Sequence, residues 1–371
     1  MQMIMKKELY SSLIAIMLIM NACQSVEQLS IDYMLPAEVS FPASLKRVAV
    51  VNNMPDSPEN ASQALLKEKE EKSESEIARQ TNYYTGNASL TAQALAETLA
   101  DGNYFDQVII CDSALRTKDR QPREATLSTT EVNELTRSLG ADFLIAVENV
   151  QLRSVNKLSF LPDIQAYYGT VDVTVYPTLR IYLPNHPGPI TTISSPDSIF
   201  WEEAGISEAE VRSRLIAKED LIETASEFAG SSPVQYLLPH WKTAPRYLFT
   251  GGSVEMRDAA VYVREQNWED AIRLWKQVYE TKKGKRKMYA AYNIALGYEM
   301  QDSIHTAARW AAKAQHIAYD IDRVEEKKTQ GLDGSNIPNY VFTTLYVNEL
   351  TERDQSIARL NLQMQRFKDD F

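Results

Sequence analysis

The residue types that most often carry chemistry are sparse in this chain and poorly spaced for it. Its four histidines, His186, His240, His305 and His316, fall in no His-Glu-x-x-His pair, and its two cysteines, Cys23 and Cys111, form no Cys-x-x-Cys. That spacing argues against a zinc site, which needs three or four such ligands on one ion. Gly251-Gly252-Ser253 lacks the lysine and the strand-to-helix frame of a phosphate loop, and no Gly-x-Ser-x-Gly nucleophile elbow is present. The paired acids Glu202-Glu203 and Asp369-Asp370 suit glycoside hydrolysis only inside a cleft, and read more simply as a solvated helix end and a tail. No catalytic residue, metal or cofactor is assigned. A hydrolase acting on peptidoglycan or a surface glycan is the rival reading. Its mark would be a deep pocket of convergent acids, one with a strongly raised pKa.

Two features do point to chemistry. Lys6-Lys7 precede the apolar run Leu13 to Met20, too short to span a bilayer, and Asn21-Ala22-Cys23 follows. This resembles a lipoprotein signal peptide. The resemblance implies that residues 1–22 are removed and that Cys23 is lipidated. Gln24, rather than an aspartate, follows the cysteine, and resemblance to enterobacterial lipoprotein sorting then implies the outer membrane. The second feature is Lys282 to Lys287, five cations in six residues of a chain whose net charge is −11. It offers a contact for an acidic partner or membrane phosphate, and more simply reads as a solvated loop. The acidic balance argues against general nucleic-acid binding. It also leaves anchoring to the acyl chains, because an acidic body is repelled by anionic headgroups.

The length, 371 residues, suggests about two domains. Residues 23–45 hold two prolines and read as a tether. Residues 46–245 read as one α/β domain. Val48 to Val51 is a buried strand, Asn52 to Asn87 a polar insertion, Leu90 to Leu99 an amphipathic helix and Phe105 to Cys111 a second strand. Ser128 and Glu131 form a capping box, Gly140 a left-handed helix cap, and Ala141 to Val147 begins a third strand. Residues 169–182 alternate as a half-exposed strand does, with Pro177 marking an edge or a bulge, and Ile193 to Trp201 pairs with it. A second capping box, Ser207 and Glu210, opens a helix to about Phe228.

The order of elements, Leu139-Gly140-Ala141-Asp142 feeding an apolar strand, and the ending Leu238-Pro239-His240-Trp241 carry a resemblance. It is to the periplasmic α/β domain of penicillin-binding-protein activator lipoproteins, the curli secretion channel family and the amino-terminal domain of the Tol translocation protein. The resemblance implies a mixed sheet in two or three layers that binds proteins or assembles. Asp172, Pro177 and Arg180 argue against the membrane hairpins a pore needs. The whole chain is similar to an uncharacterised family of Bacteroidetes-type lipoproteins with helical repeats at the carboxyl end.

Residues 246–320 repeat themselves. Trp268 and Ile304, Ala271 and Ala307, Ala259 and Ala295, Tyr262 and Tyr298 are each 36 apart. This resembles the tetratricopeptide repeat, in which small residues let paired helices cross closely. Two copies need covering, and residues 321–371 supply a linker and a capping helix, roughly Val341 to Phe367. The resemblance implies a groove lined by Tyr289, Tyr292, Leu296, Glu299 and Met300, with Arg264 in the first copy. It places Asn293 where relatives hydrogen-bond a partner's backbone. Two occupants remain open: a protein or peptide partner in the envelope, or the carboxyl-terminal helix through Leu345, Val347, Leu350 or Ile357.

Overall fold

The computed structural model describes residues 25–54, 76–111, 113–116, 126–328, 331 and 333–370. Cys23, the leader and most of the polar insertion lie outside the described residues. The chain divides into two units. One, an α/β unit, holds residues 37–239 and 363–370; the other, a helical unit, holds residues 25–36 and 240–362.

The expected tether is instead a strand, β1 (Val26–Leu35), in the helical unit. Leu29, Ile31, Tyr33 and Leu35 alternate at the two-residue period of a half-buried strand, and Ile31 and Tyr33 are buried. Pro36 ends the run. Residues 37–45 belong to the α/β unit, where Phe41 packs against Phe105 and Phe143.

The α/β unit is built on β2 (Arg47–Asn52), β3 (Glu76–Thr85), α1 (Ala88–Asp101), β4 (Gln107–Cys111), α2 (Thr129–Leu139), β5 (Phe143–Leu161) and β6 (Ala166–Tyr182). Then come β7 (Thr191–Ser194), β8 (Asp197–Gly205), α3 (Glu208–Arg214), α4 (Lys218–Ser231) and the short α5 (Val234–Leu237). The sheet runs β4-β2-β5-β6-β7, with β2 parallel to β4 and β5 and the rest antiparallel. Val48 and Val50 of β2 face α1 and α4; Ala49 and Val51 face α2. Both faces of the parallel strands are thus covered, which is why this strand is an unbroken apolar run. A Cβ on Gly230 would lie 2.2 Å from the Thr91 carbonyl oxygen, so only glycine lets α4 approach α1 this closely. The Ser128–Glu131 capping box forms, and Gly140 takes the left-handed conformation at φ 67°.

The single helix expected over 207–228 is two helices. The chain is extended at Leu215 and Ala217, and Leu215 packs against Gly169, where a side chain would collide with it. Pro177 lies inside the sheet, yet at a break in it. β6 pairs with β8 up to Val175 and with β7 from Thr178, so Pro177 falls between partners. On the other side β5 changes partner at the same level, from β2 through Val147 to β3 from Gln151. A bulge there sets Glu148 out of register.

In the helical unit β1 pairs antiparallel with β9 (His240–Phe249), so the α/β domain ends at Pro239 rather than near residue 245. Helices α6 (Val254–Arg264), α7 (Trp268–Thr281), α8 (Gly284–Met300) and α9 (Ile304–Ile321) follow, then short α10 (Val324–Lys328) and long α11 (Pro338–Met364). The α6–α7 and α8–α9 turns match in form. Gln266 and Asp302 take φ of 59° and 57°. Asn267 donates its backbone N–H to the Tyr262 carbonyl at 2.9 Å, and Ser303 donates to the Tyr298 carbonyl at 2.9 Å. Ala259, Ala271, Ala295, Ala307, Trp268 and Ile304 are all buried. No described helix is long and apolar enough to cross a membrane.

Candidate functional site

The expected groove residues lie on α8, and most are sealed by the chain itself. Asn293 is fully buried. Its carbonyl oxygen accepts the Phe249 N–H at 3.0 Å and its amide donates to the Phe249 carbonyl at 2.7 Å. It therefore does hold an extended backbone, that of β9. Tyr289 stacks on the Phe249 ring at 3.9 Å, and Tyr292 stacks on Phe342 of α11 at 5.0 Å and meets Tyr346 at 4.7 Å. Leu296 is buried in the same cluster, to which Leu350 of α11 also belongs. Both β9 and α11 thus fill the groove; of the residues expected to cap it, Leu345 is exposed instead. Arg264 stays at the surface, paired with Glu27 of β1.

Beyond these residues the groove floor becomes polar. Glu299 is 2% exposed and receives Arg246 of β9 at 2.9 and 2.8 Å, Tyr346 at 2.7 Å, and Arg353. Arg246 also reaches Glu349 at 3.0 Å, Glu349 accepts the Tyr33 hydroxyl, and Arg353 lies 3.8 Å over the Tyr33 ring. Burial raises the Glu349 carboxyl, but bonds from Arg246 and Tyr33 outweigh it and hold the group below its ordinary pKa. Burial and Glu349 together push the Tyr33 phenol well up. These bonds join β1, β9, α8 and α11 through paired buried charges, which need all their partners to offset desolvation. Sequence reasoning placed Glu299 in the groove but missed its partners. A signal for two of them existed: Phe342, Tyr346, Glu349 and Arg353 recur at helical spacing on one face.

Beside this network lies a cavity of about 580 Å³ between β1, the end of α8 and the second half of α11. Met300, Ile31, Ile304 and Ile357 give it an apolar wall, Arg353 and Asp302 a polar one. Trp241, 68% exposed, stands among its lining residues.

The α/β unit holds a second polar cluster at the carboxyl end of β2, beside the point of β5 where its parallel pairing with β2 stops; the strand order reverses between these two strands, a place where parallel sheets usually bind ligands. The bulged Glu148 is 1% exposed. Its carboxylate accepts the Tyr182 hydroxyl and the Asn53 amide, each at 2.6 Å, and Arg180 lies 3.9 Å away. Asn53 accepts from Arg116 at 3.0 Å, and Arg116 also pairs with Glu131. Burial raises the Glu148 pKa against the pull of Tyr182, Asn53 and Arg180. Both its oxygens are spent on protein donors, unlike a general acid that must reach substrate. Glu148 was not legible in the sequence, because a bulge is invisible to a period-two pattern.

The α/β unit and the helical unit each match a known family. Residues 45–249 match the family model described as a domain of unknown function, DUF8603, and residues 257–352 match a second domain of unknown function, DUF6340. The first spans more than half of the chain, which belongs to the DUF8603 family. No curated protein and no solved structure matches the chain.

Proposed function

We propose that this protein is an envelope lipoprotein, anchored through acylated Cys23 to the outer membrane, that serves as a non-enzymatic protein-binding scaffold. In this reading the helical unit is a pair of tetratricopeptide-like repeats. The observation that carries it is the 36-residue recurrence in three dimensions: the same turn, the same backbone bonds and the same buried positions in both helix pairs. Stacked repeats of this sort make extended binding surfaces. With the groove of α8 taken by β9 and α11, partner contact falls to surfaces left open. One is β8, an edge strand on which Phe200 is 66% exposed, with Ile206 86% exposed just beyond it. Edge strands with exposed apolar side chains add a partner's strand readily.

Two measurements in cells test the two halves of the proposal. Detergent phase partitioning reads the anchor: wild-type protein enters the detergent phase, and Cys23→Ser stays aqueous or unprocessed. A photo-crosslinking residue placed at Phe200 or Trp241 reads the scaffold role and should yield a discrete protein adduct. Wild-type protein in the aqueous phase refutes the anchor. Absence of an adduct at both positions refutes the scaffold.

A further inference from the structure

Ser25, the first described residue, and the basic cluster lie close together in the helical unit. Because β1 begins at Val26, only Gln24 and Ser25 separate Cys23 from folded structure. Two residues of chain reach at most about 7 Å. Ser25 is fixed: its carbonyl accepts the Thr250 N–H at 3.0 Å, and a Cβ on Gly251 would come within 2.6 Å of the Ser25 Cβ. The next residue, Gly252, lies against Arg286, 3.6 Å from the Arg286 Cγ to where its own Cβ would be. Arg286 belongs to the run Lys282, Lys283, Lys285, Arg286 and Lys287, which joins α7 to α8. Lys283, Lys285 and Arg286 are exposed. Among the described residues, none of the five is joined to a carboxylate at ion-pair distance.

The patch continues onto α9 with aromatic rings among its cations. The Lys287 ammonium sits 4.5 Å from the Tyr279 ring centre, Tyr279 meets Trp310 edge-on at 5.0 Å, and the Lys313 ammonium lies 3.7 Å over Trp310. Lys, Tyr and Trp together are the composition favoured at membrane–water interfaces.

We propose that this end of the helical unit is a membrane-docking surface, with Lys282, Lys283, Lys285, Arg286 and Lys287 set on the anionic phosphate headgroups of the bilayer that holds the Cys23 acyl chains. The proposal rests on the lipoprotein reading and adds a second attachment to it. It also changes what the net charge implies. The acidic body as a whole is repelled by an anionic surface, but potentials decay over about 8 Å at physiological salt, so the charge nearest the anchor decides. A basic patch beside an acyl chain is the pairing that converts marginal attachment into stable attachment.

The test uses the mature chain carrying Cys23→Ser, so that no acyl chain contributes, and floats it with vesicles of phosphatidylcholine alone or with about one third phosphatidylglycerol. The chain should bind the anionic vesicles at least tenfold more tightly and lose that binding in 0.5 M salt, because the counterions screen it. Lys283→Glu, Lys285→Glu and Arg286→Glu together should weaken it on the order of a hundredfold. Reversal of the exposed Arg137, Lys157 and Arg359, which changes net charge equally, should have a much smaller effect. The three cluster side chains are exposed in a loop and a helix start, so melting curves should match wild type and exclude unfolding as the cause. Equal binding to both vesicle types overturns the proposal, as does anionic binding that survives the cluster reversal. Detergent partitioning of the wild-type protein reports on the anchor alone, so its failure is distinct from a failure of docking.

Discussion

Replacing Glu299 with glutamine should unfold the helical unit at much lower temperature, although the two side chains have nearly the same shape. The glutamine keeps one acceptor oxygen and loses the charge. Arg246 and Arg353 are 3% and 8% exposed, and both point at Glu299. Removing one member of a buried ionic cluster costs about 3–5 kcal/mol, mostly because the remaining charge is left uncompensated in a medium that solvates it poorly. Arg246 keeps Glu349 at 3.0 Å, which favours the lower half of that range; Arg353 keeps its stacking on Tyr33 but, among the described residues, has no second carboxylate at ion-pair distance. For a unit of this size each kcal/mol is worth roughly 3–4 °C, so the melting temperature should fall by about 10–15 °C. Tryptophan fluorescence is the suitable probe, since Trp241, Trp268, Trp275 and Trp310 lie in the helical unit and only Trp201 lies in the α/β unit. Adding Arg353→Met to Glu299→Gln should recover part of the loss, because it removes the charge that the first substitution stranded. A Glu299→Gln protein whose helical transition stays within about 0.5 kcal/mol of wild type would refute the claim that these charges hold β9 and α11 to α8.

Three further perturbations test separate contacts. Asn293→Ala strands both polar groups of Phe249 in a dry groove and should cost about 2–4 kcal/mol by urea unfolding; an unchanged midpoint would mean that water or another residue replaces the amide. Trp268→Ala removes a side chain only 8% exposed and should cost about 3–5 kcal/mol, read as a lower melting temperature of the helical transition. Glu148, raised by burial, contributes stability that is fully present below the ordinary glutamate pKa of about 4.3 and is lost as pH rises through its higher folded value. The stability of wild type relative to Glu148→Gln should therefore fall as pH climbs from about 4 upward; a difference that is flat with pH, or that rises, contradicts this.

The sequence was most legible where one local rule acted alone. The Ser128 capping box, the Gly140 cap and the helix pairs of residues 254–321 follow from side-chain chemistry within a few residues, and the structure places each of them as those rules expect. Long-range pairing was harder to read. β1 and β9 are separated by about two hundred residues and Pro245 interrupts the alternation of the second, so neither showed itself as half of a ribbon. The alternation Leu29, Ile31, Tyr33, Leu35 was present, but two nearby prolines suggested a linker. β3 lay unread in the polar insertion for a similar reason: Arg79, Gln80, Thr81 and Asn82 give little apolar signal, and the strand exists because the protruding half of β5 offers it an edge.

The groove illustrates a different limit. Repeat spacing identified which side of α8 is apolar and put an asparagine at the position where a backbone is gripped. Both inferences concern the face of a helix; in this structure Asn293 holds the chain's own backbone at Phe249. What covers that face is not a property of the face. It depends on whether some other segment of the chain can reach it with complementary groups at lower entropic cost than a separate molecule. Here Phe249 and Asn293 lie 44 residues apart, but β9 enters α6 through only four residues and α6 and α7 fill most of the interval as folded helices, so little flexible chain has to be closed; α11 follows α10 after nine residues. An intramolecular occupant held by a largely folded tether competes at an effective concentration that a free peptide rarely matches. The same reasoning gives weight to the surfaces that no described segment covers: the edge of β8, the cavity beneath Trp241 and the basic end beside Ser25.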